Sequence, residues 1–442
     1  MTVINQIIQL LLALSILVVI HELGHFMFAR IFKTRVEKFY LFFNPWFSLF
    51  RFKRGETEYG VGWVPLGGYV KISGMIDESM DTNQMKSEPK PYEFRSKPSW
   101  QRLLIMVGGA LFNFLFAILI FIAVLYRWGD SYLPTENVRY GIVTDSLGHE
   151  MGLRDGDRIL SVDNQYVDNF HAIMQDIILN ARSSIQVERD GEIIDIDISR
   201  EYLPLMLRGK GHFDARVPFS PFIIRGFASG ESPAKAAGVE PGDQIIMVND
   251  EKFDYYDQFQ RYLRERRGEK VDVTVLREVD TLTRTVMLTD EGMMGISFIP
   301  SDNLELKNIS YGLLESVPAG ISRGWKLTGD YLKQFRVIFS RGSRGHESLG
   351  GFITIGSLFP GSWNWHAFWT MTAFISIILA IMNLLPIPAL DGGHVMFLVY
   401  EVVTGRKPGD RFMEYAQLAG MIILFSLLIY ANLNDIIKLF SS

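Results

Sequence analysis

Long apolar stretches alternate with polar sequence along this chain of 442 residues. Four stretches approach or exceed the roughly 20 residues that a helix needs to cross the hydrocarbon core of a bilayer. We predict spans at about Val3–Ile31, Leu103–Tyr126, Phe368–Leu385 and Ala416–Ala431, the last being the shortest. The pattern therefore predicts a polytopic α-helical membrane protein with about four transmembrane helices.

The segment Glu58–Gly74, between the first two spans, is rich in aromatic and β-branched residues and is interrupted by glycines. This composition predicts a bent β-hairpin. Non-helical backbone survives at membrane depth only where it is buried in protein or lines a wet cavity. The hairpin is therefore either a re-entrant element beside the spans, whose edge could receive an extended substrate, or an ordinary cytosolic hairpin.

The polar middle of the chain contains an internal repeat. Ser146–Asp163 aligns without gaps on Ser232–Asn249, and each copy has a Gly-Asp pair before an apolar run. Each copy is predicted to form a short helix, a turn and a strand. This pattern resembles PDZ domains, which bind extended peptides at a sheet edge. The alternative is a pair of small α/β modules without that role.

After the repeats, apolar and basic positions alternate at roughly helical spacing from Ser316 onward. Such a helix lies on a membrane surface or packs between domains, and the sequence does not separate the two. Gly342–Trp365 is rich in glycine and aromatic residues and is expected to be irregular.

The charged residues predict how the spans are oriented in the membrane and exclude one class of partner. The 44 Lys and Arg residues nearly balance the 49 Asp and Glu residues, so no nucleic-acid partner is expected. Basic residues concentrate between Arg30 and Arg102 and recur at Arg406, Lys407 and Arg411. Both connections are therefore predicted to be cytoplasmic, which places both termini and the repeats outside the cytoplasm. The lipid bilayer itself is an expected partner.

The strongest chemical signal is the pentad His21-Glu22-Leu23-Gly24-His25 near the end of the first span. On a helix, this spacing puts two imidazoles one turn apart on one face, with a carboxylate beside them, as in zinc peptidases. Ionisable residues inside a membrane are functional candidates by default. The chain has no cysteine, so a zinc ion would have to be held by histidine and carboxylate.

A catalytic zinc needs a third protein ligand and an open position for water. The third span ends with Asn383-Leu384-Leu385 and is followed by Pro386 and Pro388, which break the helix at its predicted cytoplasmic end. Asp391 would then reach the depth of the pentad and is the preferred third ligand. His394 is the competing candidate.

Two motifs and the repeats together resemble the site-2 protease family, over essentially the whole chain. The motifs are the pentad in the first span and Asn383-x-x-Pro386-x-Pro388-x-Leu390-Asp391-Gly392 after the third. The resemblance implies Zn²⁺ held by His21, His25 and Asp391, with Glu22 as the general base and Asn383 in contact with the substrate backbone. It also implies that the β element contacts substrate through Gly60, Gly62, Gly67 and Gly68.

The resemblance further implies regulated intramembrane proteolysis of single-span membrane proteins that have already been trimmed, such as anti-sigma factors or remnant signal peptides. Peptide C-termini are possible ligands of the PDZ-like modules. The chain is expected to divide into eight segments. They are the first span (1–34), the β element with a cytoplasmic loop (35–99), the second span (100–127), the two PDZ-like modules (128–213 and 214–302), the amphipathic segment (303–362), the third span (363–391) and a cytoplasmic loop with the fourth span (392–442).

Two other functional classes stay open at this point. The chain could be a non-catalytic membrane scaffold that recruits peptides through its PDZ-like modules. It could also be a membrane-anchored metallopeptidase that acts on soluble or misfolded proteins, in which case Glu401, on a later helix, would be the third ligand.

Overall fold

The computed structural model describes residues 2–65, 67–75, 88–207, 212–228, 232–299, 303–338, 340 and 350–441. The chain divides into two compact units. Unit 1 comprises Met1–Gly129, Ser310–Arg336 and His346–Ser442, and unit 2 comprises Asp130–Ile309 and Val337–Gly345.

The helices, numbered in chain order, are α1 Thr2–Ile31, α2 Ser99–Trp128, α3 Ser146–Glu150, α4 Ile173–Asn180, α5 Leu203–Met206, α6 Pro233–Ala236, α7 Tyr256–Glu265, α8 Leu313–Ile338, α9 Phe352–Ser357, α10 Trp365–Leu384, α11 Asp391–Thr404 and α12 Asp410–Ser441.

The strands are β1 Val36–Leu41, β2 Phe50–Arg54, β3 Thr57–Val61, β4 Tyr69–Ile72, β5 Asp130–Tyr132, β6 Ile142–Thr144, β7 Arg158–Val162, β8 Ser184–Arg189, β9 Glu192–Asp197, β10 Phe213–Ala215, β11 Phe222–Ile223, β12 Gly226–Phe227, β13 Gln244–Val248, β14 Lys270–Arg277, β15 Asp280–Met287, β16 Ile296–Ser297 and β17 Lys307–Ile309.

Four helices of unit 1 are long and apolar enough to cross a membrane, among the residues that the structure describes: α1, α2, α10 and α12. The prediction of four spans is therefore confirmed. The extent predicted for the last span is wrong, because α12 has 32 residues and is the longest helix rather than the shortest span. Hydropathy falls at Asn432 and Asp435, but the helix continues through both positions.

Glycines bring the backbones of α1 and α2 into direct contact. A methyl group at Gly108 would lie 2.7 Å from the carbonyl oxygen of Gly24, so neither helix can carry a side chain at this crossing. Such close approach is typical of membrane helices that associate through small residues. It places the histidine-bearing end of α1 against the middle of α2.

The β element of unit 1 is a four-stranded sheet of order β2-β3-β1-β4. The predicted pairing of a hairpin within Glu58–Gly74 is wrong. β3 forms its hairpin with β2 and runs parallel to β1, whereas β4 pairs antiparallel with the other edge of β1. The link from β3 to β4 contains Pro65 and Gly67 and is too long for a tight turn, so β1 separates the two strands.

Helix α8 packs against α2 within unit 1, a contact that does not decide between a membrane-surface helix and a helix between domains. Gly320 of α8 lies on Ile122, and Gly324 lies on Ile118. Of the segment predicted to be irregular, the described part contains the short helix α9. Residues 341–349 lie outside the described residues.

Unit 2 contains the internal repeat, and both copies have the predicted order of helix, turn and strand. The first copy is α3 followed by β7, in a sheet of order β7-β8-β9, and the second is α6 followed by β13, in a sheet of order β11-β13-β14-β15. Each copy has its own buried apolar cluster, the first around Ile159 and Ile185 and the second around Ile245 and Val273.

The same ion pair braces the Gly-Asp turn in both repeats. Asp157 accepts two hydrogen bonds of 2.7 Å from Arg189, and Asp243 accepts bonds of 2.7 and 2.9 Å from Arg277. Both aspartates are almost fully buried. The hydrogen bonds from Arg277 hold the pKa of the Asp243 carboxyl below its ordinary value of 3.8.

We predict that Arg277→Gln destabilises unit 2 at neutral pH, because it leaves the buried Asp243 carboxylate without its guanidinium. The midpoint of the thermal transition should fall by about 2–4 °C for each kcal/mol of stability lost in a unit of this size, measured by calorimetry of the purified chain in detergent. Arg267→Gln, at an exposed arginine of the same unit, is the matched control and should leave the midpoint unchanged.

The pH dependence of this pair has a definite sign. Stability contributed by a carboxyl with a lowered pKa is present above the unfolded-state pKa and is lost as the pH falls through the folded-state pKa. The difference between Arg277→Gln and the parent should therefore be full at pH 7 and shrink below about pH 3.8. A difference that stays constant down to pH 3 would contradict this account.

Candidate metal centre

Helix α1 presents its two pentad histidines on one face, and α2 fixes the second of them. The Nδ1 atom of His25 donates a hydrogen bond to the carbonyl oxygen of Ile105 at 2.8 Å. A ring that donates through Nδ1 leaves Nε2 free as a metal ligand. The Nε2 atoms of His21 and His25 lie 3.2 Å apart and point at a common position.

The third side chain comes from the segment after α10. Leu385 ends that helix in extended backbone, Ala389 has a φ of 91°, and α11 begins at Asp391. The Oδ2 atom of Asp391 lies 3.0 Å from Nε2 of His21 and 3.2 Å from Nε2 of His25.

The donor set and its spacing fit zinc. Ligand atoms about 2.0–2.1 Å from a tetrahedral zinc lie about 3.3–3.4 Å from one another, and the three separations here are 3.0, 3.2 and 3.2 Å. Two imidazole nitrogens and one carboxylate leave a fourth position open, as catalytic zinc sites require. Within the described ranges, this is the one group of three such side chains close enough to hold a metal ion.

A cavity of about 620 Å³ opens beside the three side chains. Its walls come from α1, the β sheet, the end of α10, the start of α11 and α12. Its lining residues include Glu22, Gly68, Val70, Asn383 and His394.

Glu22 lies in this cavity and accepts a hydrogen bond from the backbone N–H of Val70 in β4. Gly68 permits this approach of strand and helix, since a methyl group there would lie 2.9 Å from Val18 of α1. The Nδ2 atom of Asn383 lies 3.4 Å from each ring nitrogen of His21. The structure thus brings the predicted carboxylate and amide to the proposed metal position.

Other predicted residues lie elsewhere. Gly60 and Gly62 belong to β3 and the residue after it, and β3 pairs with β1 on one edge and β2 on the other. This contradicts strand pairing of a substrate at those two glycines. Gly67 packs against the ring of Phe43. Of the four predicted glycines, Gly68 lines the cavity.

The two other candidates for the third metal ligand, His394 and Glu401, do not converge with the histidines of the pentad. His394 lines the cavity but is not among the three converging side chains. Glu401 forms an ion pair with Arg102, so it is not available as the third ligand that a peptidase of the soluble type would use.

Two residues of α2 were missed by the sequence reasoning. A methyl group at Gly109 would lie 2.5 Å from Nε2 of His25 and 2.7 Å from Nε2 of His21. Asn113, one turn later, faces His21. The sequence does contain one indication of this face of α2, because Asn113 is a polar residue inside an apolar span and such residues are functional candidates.

The arrangement defines a class: a peptidase-type metal centre of two histidines, one aspartate and a nearby glutamate, built between helices that can cross a membrane. A family model described as peptidase family M50 matches residues 9–427. The chain therefore belongs to peptidase family M50, the site-2 protease family.

Individual relatives agree with this assignment over nearly their full length. The regulator of sigma E protease of Haemophilus influenzae is 28% identical over 457 residues, covering 97% of this chain and 98% of the relative. Metalloprotease MmpA of Caulobacter vibrioides is 25% identical over 448 residues, covering 98% and 95%. A Neisseria meningitidis protein named as a zinc metalloprotease is 27% identical over 457 residues, covering 98% and 99%. The chain is thus a zinc metalloprotease of the bacterial inner membrane.

We predict that Gly109→Ala abolishes zinc binding, because the added methyl group would overlap both imidazoles. Zinc content of the purified protein, measured by atomic emission, should fall from near one equivalent to near zero. Gly329→Ala is the matched control, since a methyl group at that helical glycine meets open space. A Gly109→Ala protein with full zinc content would show that the rings do not converge as described.

Proposed function

We propose that this chain is a zinc-dependent intramembrane endopeptidase that cleaves transmembrane segments of membrane proteins already trimmed outside the membrane. The observation that supports it most strongly is that His21, His25 and Asp391 converge within a bundle of candidate spanning helices, beside β4, the last strand in the order of the described sheet. Regulated intramembrane proteolysis of anti-sigma factors or remnant signal peptides is the corresponding biological role.

In this proposal His21, His25 and Asp391 hold the zinc ion. When bound, zinc supplies a Lewis acid that makes water acidic enough to deprotonate near neutral pH and polarises the scissile carbonyl. Glu22 accepts the proton of the attacking water on a carboxylate oxygen and then transfers it to the leaving amide nitrogen. The Val70 N–H orients the Glu22 carboxylate for both transfers.

A transmembrane substrate must unwind locally, since a helix keeps its carbonyl groups in internal hydrogen bonds. The backbone groups so released need new partners, because unpaired polar groups are costly away from water. An exposed strand edge supplies such partners by accepting an extended peptide as a further strand. Asn383 offers an additional amide beside His21.

The edge that suits this role is β4. The N–H of Ser73, just after β4, donates inward to Arg35, so alternate residues along the strand turn their N–H groups outward. Val70 is one of these, and its N–H reaches Glu22. A substrate strand along β4 would therefore run past the proposed metal position.

The proposed orientation follows the distribution of basic residues. The connection from Arg30 to Arg102 would be cytoplasmic, together with the active site, and unit 2 and both termini would be extracytoplasmic. The repeats of unit 2 would then act as PDZ-like modules that select trimmed substrates, with peptide C-termini as ligands.

We predict that Glu22→Gln reduces cleavage of a tagged single-span substrate in detergent by at least about 100-fold, since a general base contributes 10²–10⁴-fold. Zinc content should be unchanged, because Glu22 is not among the three converging ligands. Substantial cleavage by a zinc-loaded Glu22→Gln enzyme would exclude Glu22 as the base, and a folded parent without zinc would overturn the enzymatic mechanism.

We predict that Val70→Pro abolishes cleavage while the protein remains folded and zinc-loaded. Proline removes an N–H that points away from the sheet, a position where strands tolerate it. Val70→Ala is the matched control, since it shortens the side chain and keeps the N–H. Equal turnover of the two variants would contradict both the role of the β4 edge and the orientation of Glu22 by the Val70 N–H.

A further inference from the structure

Asn113 is a buried polar residue in the middle of α2 that the mechanism above does not use. It is 1% exposed, and from Leu103 to Tyr126 every other residue of this helix is apolar or glycine apart from Tyr126 itself. Burying an amide in such surroundings is unfavourable unless its polar atoms have partners. The position therefore calls for a specific contact.

That contact is the ring of His21. The side-chain amide of Asn113 lies 3.5 Å from Nδ1 of His21, which is the ring nitrogen that faces away from Asp391. The backbone carbonyl of Asn113 accepts a 2.7 Å hydrogen bond from Ser376 of α10, which holds this turn of α2 in place. Gly109, one turn earlier, gives the ring the space to stand there.

The protonation state of the ring decides which end of the amide must face it. A histidine that binds a metal through Nε2 carries its proton on Nδ1 and needs an acceptor there. In the structure the amide nitrogen of Asn113 faces Nδ1, and Oδ1 is buried without a hydrogen-bond partner among the described residues. A half-turn about the Cβ–Cγ bond exchanges the two ends and satisfies Oδ1 and the Nδ1 proton together.

Neighbouring groups do not supply this acceptor. Asn383 lies at the same 3.4 Å from both nitrogens of His21, so it stands beside the ring rather than along the direction of Nδ1. For His25, the corresponding acceptor is the backbone carbonyl of Ile105. His21 has only the Asn113 side chain in that role among the described contacts.

We propose that Asn113 is a positioning residue of the metal centre: its Oδ1 atom accepts the Nδ1 proton of His21 and so keeps Nε2 directed at zinc. This inference rests on the proposed ligand set. Asn113 and Ile105 then play the same part for the two histidines, one through a side chain and the other through the backbone.

The experiment compares Asn113→Leu, which removes the acceptor at similar size, with Asn113→Asp, which keeps an acceptor and removes the donor. The dissociation constant for zinc is measured in detergent by competition with a chelator, and the visible spectrum of the cobalt-substituted protein reports ligand geometry. We expect Asn113→Leu to bind zinc about 10–100-fold more weakly and to alter the cobalt spectrum. Asn113→Asp should retain both properties.

Two further variants make the outcome decisive. Thr372→Val removes a buried hydroxyl that bonds only within its own helix and should leave affinity and spectrum unchanged. His21→Ala tests the ligand set itself, because retained tight zinc binding there would overturn the proposed metal centre. If His21→Ala loses zinc while Asn113→Leu matches the parent, the inference on Asn113 alone is wrong. A folded Asn113→Asp protein with weakened zinc binding would also overturn it.

Discussion

Close approach of the backbones of α1 and α2 is the constraint on which the metal centre depends. Ligand atoms about 3 Å apart require imidazoles that reach a shared point without intervening side chains, and Gly24, Gly108 and Gly109 provide that space. In lipid, helices gain little from apolar burial alone, so packing between small residues has to hold them together. The same contact that joins the helices therefore also shapes the site.

The remaining parts of the site use backbone that is not helical. Asp391 reaches the histidines because the chain leaves α10 before Pro386 and starts a new helix at the aspartate. The sheet approaches from the other side through β4. The described non-helical backbone around the site is paired in the sheet, as in β1 and β4, or lines the cavity, as at Ala389 and Leu390.

Much of this organisation could be predicted from local sequence patterns. The four spans follow from hydropathy, the pentad from its spacing on a helix, and Asp391 from the proline break that precedes it. Strand pairing was not predictable in the same way. The prediction of a hairpin within Glu58–Gly74 is wrong because β1, a short strand with mixed polarity, lies between β3 and β4. Gly109 and Asn113 were missed because their roles depend on which face of α2 meets α1.

Val70 belongs to the edge strand β4 and also contacts the proposed general base, Glu22. Its N–H is an outward group of β4 and is also the hydrogen-bond donor to Glu22. A peptide that pairs with β4 would consequently lie in a fixed register with respect to the base, because Val70 carries both the N–H that donates to Glu22 and an outward carbonyl group that a paired strand could use. When a peptide is added to a sheet edge, main-chain hydrogen bonds provide the affinity and pockets for alternate side chains provide the specificity. An enzyme that reads its substrate in this way can accept varied apolar sequences and still cleave at a defined distance from the paired segment.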